Sequence, residues 1–115
     1  MPAGWGERYG YSRAIRSSNL IEVAGTTAPG ESAYEQARAA FATIEQALTE
    51  LGASLADVVR TRMFVVDVEA NGDDVARAHG EVFAEVRPAT GMYGVTALLN
   101  PEMLVEIEAS AFRGS

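Results

Sequence analysis

The chain has 115 residues, a hydrophobic share of 48% and a formal net charge of −7 at pH 7, which fits one soluble domain able to bury roughly two-thirds of its unfolded surface. All nine basic residues are arginine and none is lysine, so a Schiff-base lysine is excluded, and the acidic balance argues against non-specific nucleic-acid binding. Cysteine is absent, which removes disulfides, thiol catalysis and thiolate metal sites; no apolar run reaches the ~18 residues of a membrane span, and Trp5, Glu7 and Arg8 interrupt any secretory apolar stretch. A cytoplasmic protein with no membrane partner is expected.

In chain order, Tyr9 to Arg16 and Leu20 to Ala24 read as strands around a Ser17-Ser18-Asn19 turn. Gly25 to Glu31 is a short loop containing Pro29-Gly30. Ser32 stands three residues before Glu35, the capping-box spacing of a helix start. Ala37, Ala40, Phe41, Ile44, Ala47, Leu48 and Leu51 follow at helical spacing, and Gly52 is placed to stop the helix. Ser54 is a candidate cap for a short helical turn before a strand from Asp57 to Val66. Gly72-Asp73-Asp74 introduces a second amphipathic helix carrying Val75, Ala78, Val82, Phe83 and Val86, which Pro88 ends. Met92 to Leu99 and Leu104 to Phe112 are the last two predicted strands.

This order places a helix between strands twice, so right-handed crossovers lay both helices on one face of one mixed sheet. The final strand shows how the two faces differ. Val105, Ile107, Ala109 and Ala111 alternate with Glu106 and Glu108, so one face can enter a core while the other carries carboxylates. The face left uncovered is expected to hold Glu22, Arg60, Arg62, Phe64, Glu106 and Glu108. Its charges either stay solvated, with cross-strand pairs worth ~0–1 kcal/mol, or meet another subunit.

Several segments together resemble the reactive-intermediate deaminase family (RidA, or YjgF-like). They are Gly10-Tyr11-Ser12-Arg13-Ala14, Leu20-Ile21-Glu22-Val23-Ala24-Gly25, Val58 to Val65, Ala78-His79-Gly80-Glu81-Val82-Phe83, Arg87-Pro88-Ala89-Thr90, and Val105-Glu106-Ile107-Glu108-Ala109. The resemblance covers nearly the whole chain and implies a single α+β domain, residues 1–115, of chorismate-mutase-like fold. It further implies a homotrimer whose sheets pack face to face, with a small-molecule ligand in clefts between subunits and no cofactor. Glu106 is the implied catalytic residue, positioning a water. Tyr11, Gly25, Thr90, Gly91 and Met92 are the implied ligand-binding residues.

Two departures from the family pattern stand out. The Gly25–Glu31 loop is short where the family usually has a further strand and turn. Thr90 stands where the family's deaminases carry an arginine that holds a substrate carboxylate. A threonine cannot make that bidentate, charge-assisted contact; it can donate one hydroxyl hydrogen bond. Arg87, three residues upstream, and Arg13, sharing a strand face with Tyr11, are candidate replacements, with a surface ion pair to Glu85 or Glu7 as the plainer role for either.

Other motifs carry less. His79, the single histidine, sits at the edge of a helical apolar stripe and reads as a packed side chain. Asp67, Glu69, Asp73 and Asp74 lack the ligand pattern of a calcium loop and read as helix-start charge, and no set of residues supports a metal site. Gly4, Gly6 and Gly10 do not follow a strand, so they form no nucleotide-binding loop. The endoribonuclease activity in the family's name finds little support in an acidic chain with one histidine. Two function classes follow: a hydrolase or deaminase-like enzyme using Glu106 and a water on an imine, enamine or carbonyl compound, and a non-catalytic trimer binding a small ligand or protein in the same cleft.

Overall fold

The computed structural model describes residues 4–114. Five strands form one sheet: β1 (Ala14–Ser17), β2 (Leu20–Thr26), β3 (Val58–Val66), β4 (Ala89–Val95) and β5 (Val105–Phe112), in the order β1-β2-β5-β3-β4. The β3–β4 pair is parallel and the others antiparallel, so the sheet is mixed. The helices are α1 (Trp5–Tyr9), α2 (Ala33–Glu50) and α3 (Val68–Phe83), with a 3-10 turn at Leu55–Asp57. With α2 and α3 packed on one sheet face, this is the α+β, chorismate-mutase-like architecture.

The long helix forms as its sequence dictates. The Ser32 side chain accepts the Glu35 N–H at 3.1 Å, and Ala37, Ala40, Phe41, Ile44 and Leu48 line the buried face. Phe41 meets Phe83 of α3 edge to face, ring centres 5.5 Å apart, which locks the helix pair together over the sheet. Ser54 caps the 3-10 turn, its backbone N–H donating to Asp57 at 2.9 Å. Beneath the helices, β5 contributes Val105, Ile107, Ala109 and Ala111, all buried, as the alternation requires.

Four expected boundaries are corrected. Tyr9 to Arg16 is not one strand: Trp5–Tyr9 is a helical turn held by an aromatic contact at 5.1 Å and closed by Gly10 at φ +80°, and pairing begins only at Ala14. Tyr11 and Arg13 therefore precede the strand and share no strand face. Helix α3 starts at Val68, directly after β3 with Asp67 at its N-cap position and no side-chain cap bond, so Gly72-Asp73-Asp74 lies inside it. Gly72 is there for packing: a Cβ at that position would stand 3.3 Å from Val68 and 3.5 Å from the Met92 sulfur. The helix ends at Phe83, before Val86; the Arg87 N–H bonds back to the Phe83 carbonyl at 2.9 Å with Arg87 at a left-handed φ of 53°, and Pro88 follows, where a helix could not continue. Strand β4 runs Ala89–Val95 instead of Met92–Leu99; Leu99 lies beyond the sheet, 67% exposed. Between β2 and α2 there is no further strand, in keeping with the short loop.

One buried polar side chain holds that loop in place. Gln36 of α2 donates to the Gly30 and Glu102 carbonyls at 3.1 and 3.2 Å and accepts the Leu104 N–H at 2.8 Å. It thereby ties the β2–α2 loop and the turn before β5 to one helix.

Candidate functional site

The sheet face opposite the helices is not covered by α2 or α3, and its strand residues Glu22, Arg60, Arg62, Phe64, Glu106 and Glu108 are exposed or half-buried among the described residues. Register places Arg62 beside Glu108, Phe64 beside Glu106 and Arg60 beside Ser110 on the β3–β5 pair, with Glu22 beside Ser110 on β2–β5. The expected set Glu22, Arg60, Arg62, Phe64, Glu106 and Glu108 thus shares this face. Its polar groups are partly matched: Ser110 donates to Glu22 at 2.6 Å, and Arg62 approaches Glu108 at 3.9 Å. Arg60 donates to the Tyr93 hydroxyl at 3.3 Å, and the Tyr93 ring stacks on Phe64 with centres 5.6 Å apart. A cleft of about 310 Å³ opens here, lined by Ser12, Ile15, Glu22, Val23, Ala24, Arg62 and Glu108.

Glu106 has a different setting from its neighbour Glu108. Strand β2 breaks register between Val23 and Thr26, and Gly25 lies in that bulge. A Cβ on Gly25 would fall on the Glu106 carboxylate, so glycine is what lets this acid lie against the β2 backbone. Among the described residues Glu106 forms no ion pair. A carboxylate beside exposed backbone can hold a water or a cationic or hydrogen-bond-donating group.

The remaining implied residues lie around this corner or away from it. The Arg13 carbonyl accepts the Ala24 N–H at 2.9 Å, which sets Arg13 beside the Gly25 bulge through backbone alone. Tyr11 is half-buried, its N–H bonded to the Gly6 carbonyl at 3.0 Å. Gly91 is on the open face, where the Tyr93 hydroxyl occupies the space a Cβ would need. Arg87 is exposed in the turn before β4. Among the described residues neither Arg13 nor Arg87 makes an ion pair; the pairs are Arg38–Glu81, Arg62–Glu108, Arg77–Asp74 and Arg113–Asp57.

Thr90 and Met92 project the other way. Met92 lies against Gly72 of α3. Thr90 pairs in register with Thr61, and their hydroxyl oxygens are 2.8 Å apart. The His79 Nε2 stands 2.8 Å from Thr61 and 3.3 Å from Thr90. Thr90 in turn donates to the Pro88 carbonyl at 2.9 Å. The single chain therefore brings Glu106 and Gly25 together but leaves the Thr90 side chain on the opposite face of the sheet.

The sequence reading missed this hydroxyl–imidazole cluster. His79 is packed, as expected, its ring centre 4.8 Å from that of Phe83 and 5.7 Å from that of Phe41. Burial holds its pKa below the ordinary histidine value. The available signal was Thr61, a hydroxyl at an inward position of an otherwise apolar strand face, which needs a buried partner. Among the described residues no three acidic, histidine or cysteine side chains gather into a metal site, and no helix is long and apolar enough to cross a membrane.

Comparison with known proteins gives one consistent result. Residues 6–113 match the family model described as Endoribonuclease L-PSP. The crystal structure of Rv2704 from Mycobacterium tuberculosis, described as a member of the highly conserved YjgF/YER057c/UK114 family, is 46% identical with a TM-score of 0.91, covering 97% of this chain and 96% of that one. An uncharacterized protein of Streptomyces coelicolor is 37% identical over 118 residues, spanning 96% of this chain and 87% of the relative. A RutC family protein of Pyrococcus abyssi is 33% identical over 114 residues, 90% of this chain and 86% of the relative.

Proposed function

We propose, from the premise that the chain belongs to the YjgF/RidA-like (endoribonuclease L-PSP) family, that it is a homotrimer binding a small metabolite in clefts between subunits. Family membership supports small-molecule binding as such. The observation that carries the finer reading is the Gly25–Glu106 corner: a carboxylate without an ion-pair partner among the described residues, seated on a Cβ-less bulge of an uncovered sheet face. A second subunit on that face supplies the wall that turns the corner into a pocket, and it covers Phe64 and Tyr93 from water.

In this reading Glu106 positions a water and exchanges protons with it, which suits hydrolysis of an imine, enamine or carbonyl compound. Tyr11, Gly25 and Gly91 bound the ligand on this face, with Arg13 and Arg87 at its approaches; Thr90 and Met92, on the other face of their own sheet, bound it only where a neighbouring subunit contributes them. A standard 2-aminoacrylate deaminase must hold a carboxylate, and Thr90 brings no positive charge. Little such activity is expected, and the pocket favours a neutral or less acidic ligand. The Thr90 environment also supports a non-catalytic binding trimer, in which Glu106 serves as a ligand acceptor only.

Sedimentation analysis together with imine-hydrolysis assays and thermal-shift screening of keto acids and neutral carbonyl compounds tests this. The expected outcome is a trimer mass, stabilisation by neutral carbonyl compounds, and loss of any turnover in Glu106→Gln, since a carboxamide cannot accept and return a proton near neutral pH. A mass of one chain would reduce the open face to an ordinary solvated surface. Turnover unchanged in Glu106→Gln would remove its catalytic role.

A further inference from the structure

The Glu106 corner has almost no slack. A Cβ on Gly25 would stand 2.8 Å from the Glu106 carboxyl carbon and 3.2 Å from its Cγ, nearer than carbon atoms pack at rest. Where the acid lies is therefore set by the shape of the β2 backbone at the bulge. Register defines that bulge: Val23 pairs with Ala109 and Thr26 with Ile107, so Ala24 and Gly25 together face Glu108 alone. The extra residue interrupts the ladder, and strand pairing no longer determines the backbone there by itself.

Thr26 supplies a constraint in its place. It is 0% exposed, and its hydroxyl donates to the Ala24 carbonyl at 2.8 Å. A carbonyl only accepts, so the direction of this bond is fixed. The bond runs from the residue after Gly25 to the residue before it and closes a short ring around the glycine. The Ala24 N–H donates to the Arg13 carbonyl at 2.9 Å, so both polar groups of the Ala24 backbone are held. Thr26 pairs with Ile107 and shares its buried side of the sheet, whereas Glu106 lies on the open side.

Glu106 is anchored at its own end as well. Just ahead of it in the chain, the Leu104 N–H donates to Gln36 at 2.8 Å and the Leu104 carbonyl accepts the Val66 N–H at 2.9 Å. Gln36 is 3% exposed and also holds the Gly30 carbonyl, beyond the bulge on the other strand.

We propose that Thr26 is a positioning residue of the Glu106 site: it staples the Gly25 bulge from the buried side and so sets where the carboxylate lies, with Gln36 as the second anchor. The proposal rests on the Glu106 corner being the ligand site and adds control of it from residues that no ligand touches.

The test is NMR of the full chain without ligand, following the Ala24 carbonyl carbon, the Gly25 amide and the Glu106 side-chain carboxyl carbon. Thr26→Val keeps the shape and removes the hydroxyl; it is expected to displace all three signals. Thr26→Ser keeps the hydroxyl and is expected to return the Glu106 signal to its wild-type position. Gln36→Met should displace the Glu106 signal too. Ile44→Val, a trimmed core residue of α2 that is 0% exposed, should lower stability and leave the three signals in place. If Thr26→Val does not fold, Thr26→Ala carries the same reading. A Glu106 carboxyl signal unmoved in the Thr26 variant overturns the proposal, as does an equal displacement in Ile44→Val or a failure of Thr26→Ser to restore it. No ligand or turnover enters these signals, so the outcome is separate from the Glu106→Gln assays, which decide what the acid does.

Discussion

On the helix side of the sheet, Ile21, Val65, Val105 and Ile107 are 0% exposed, while their strand neighbours Glu22, Phe64 and Glu106 reach solvent on the other side. The same strands thus present a dry face built by shape and a wet face built by charge. The dry face is closed within the chain: α2 and α3 supply Phe41, Ile44, Leu48, Val75 and Phe83, and its Thr61–Thr90–His79 cluster is internally bonded. The wet face is incomplete. Its aromatic pair Phe64–Tyr93, its loosely spaced Arg62–Glu108 pair and the Glu106 corner are covered by no other part of the described chain. Burial is concentrated on one side of the sheet and solvent-facing charge on the other.

The strongest way to break this contrast is to truncate one aromatic on each side. Phe41→Ala should cost about 3–5 kcal/mol of folding stability in denaturant titration, since a 2% exposed ring leaves a cavity between both helices. Phe64→Ala should cost less than about 1 kcal/mol in the dissociated chain and instead weaken self-association. Equal folding losses at the two sites would erase the distinction between the faces.

A glycine pair sharpens it at intermediate size. Gly25→Ala drives a methyl into the Glu106 carboxylate, and a loss of about 1–3 kcal/mol is expected as the bulge or the acid shifts. Gly80→Ala, inside α3 with nothing within 4 Å of the added carbon, should stabilise by about 0.5–1 kcal/mol. If both substitutions proved neutral in thermal melts, the close approach at Gly25 would have no energetic content.

The smallest expected effect is in pH. Burial lowers the His79 pKa in the folded chain below its ordinary value of 6.5. Between those two values the unfolded chain binds a proton the folded chain refuses, so stability falls as pH drops below about 6.5 and levels off below the folded value. Melting temperatures should show this decline in the wild type and a flatter profile in His79→Gln. An identical slope in both proteins would assign it to other groups.

Much of this contrast was legible in the sequence. The alternation of Val105, Ile107, Ala109 and Ala111 with Glu106 and Glu108 identified both faces, because period-two patterning is a local property. The Ser32–Glu35 cap and the apolar stripe of α2 were equally local. The start of α3 was not legible: Gly72 looks like a breaker until Met92, twenty residues on, is known to pack against it. The span of β4 was obscured for a related reason, since parallel pairing to β3 sets its limits and its own residues include two glycines. The tie between Thr61, His79 and Thr90 joins three elements whose spacing carries no pattern. The Gly25–Glu106 contact was suggested only through family resemblance.

Strand β4 closes one end of the sheet, and its outer backbone edge pairs with no other strand of the described chain. Its residues, Ala89-Thr90-Gly91-Met92-Tyr93-Gly94-Val95, include no charge and no proline. Charged residues and prolines are the usual means by which proteins keep a bare edge from templating another strand. The opposite edge strand, β1, carries Arg16, which is tied to the Leu51 and Arg113 carbonyls. By that measure β4 is the edge at which a strand from another chain would most readily add, and it would do so without any unfolding.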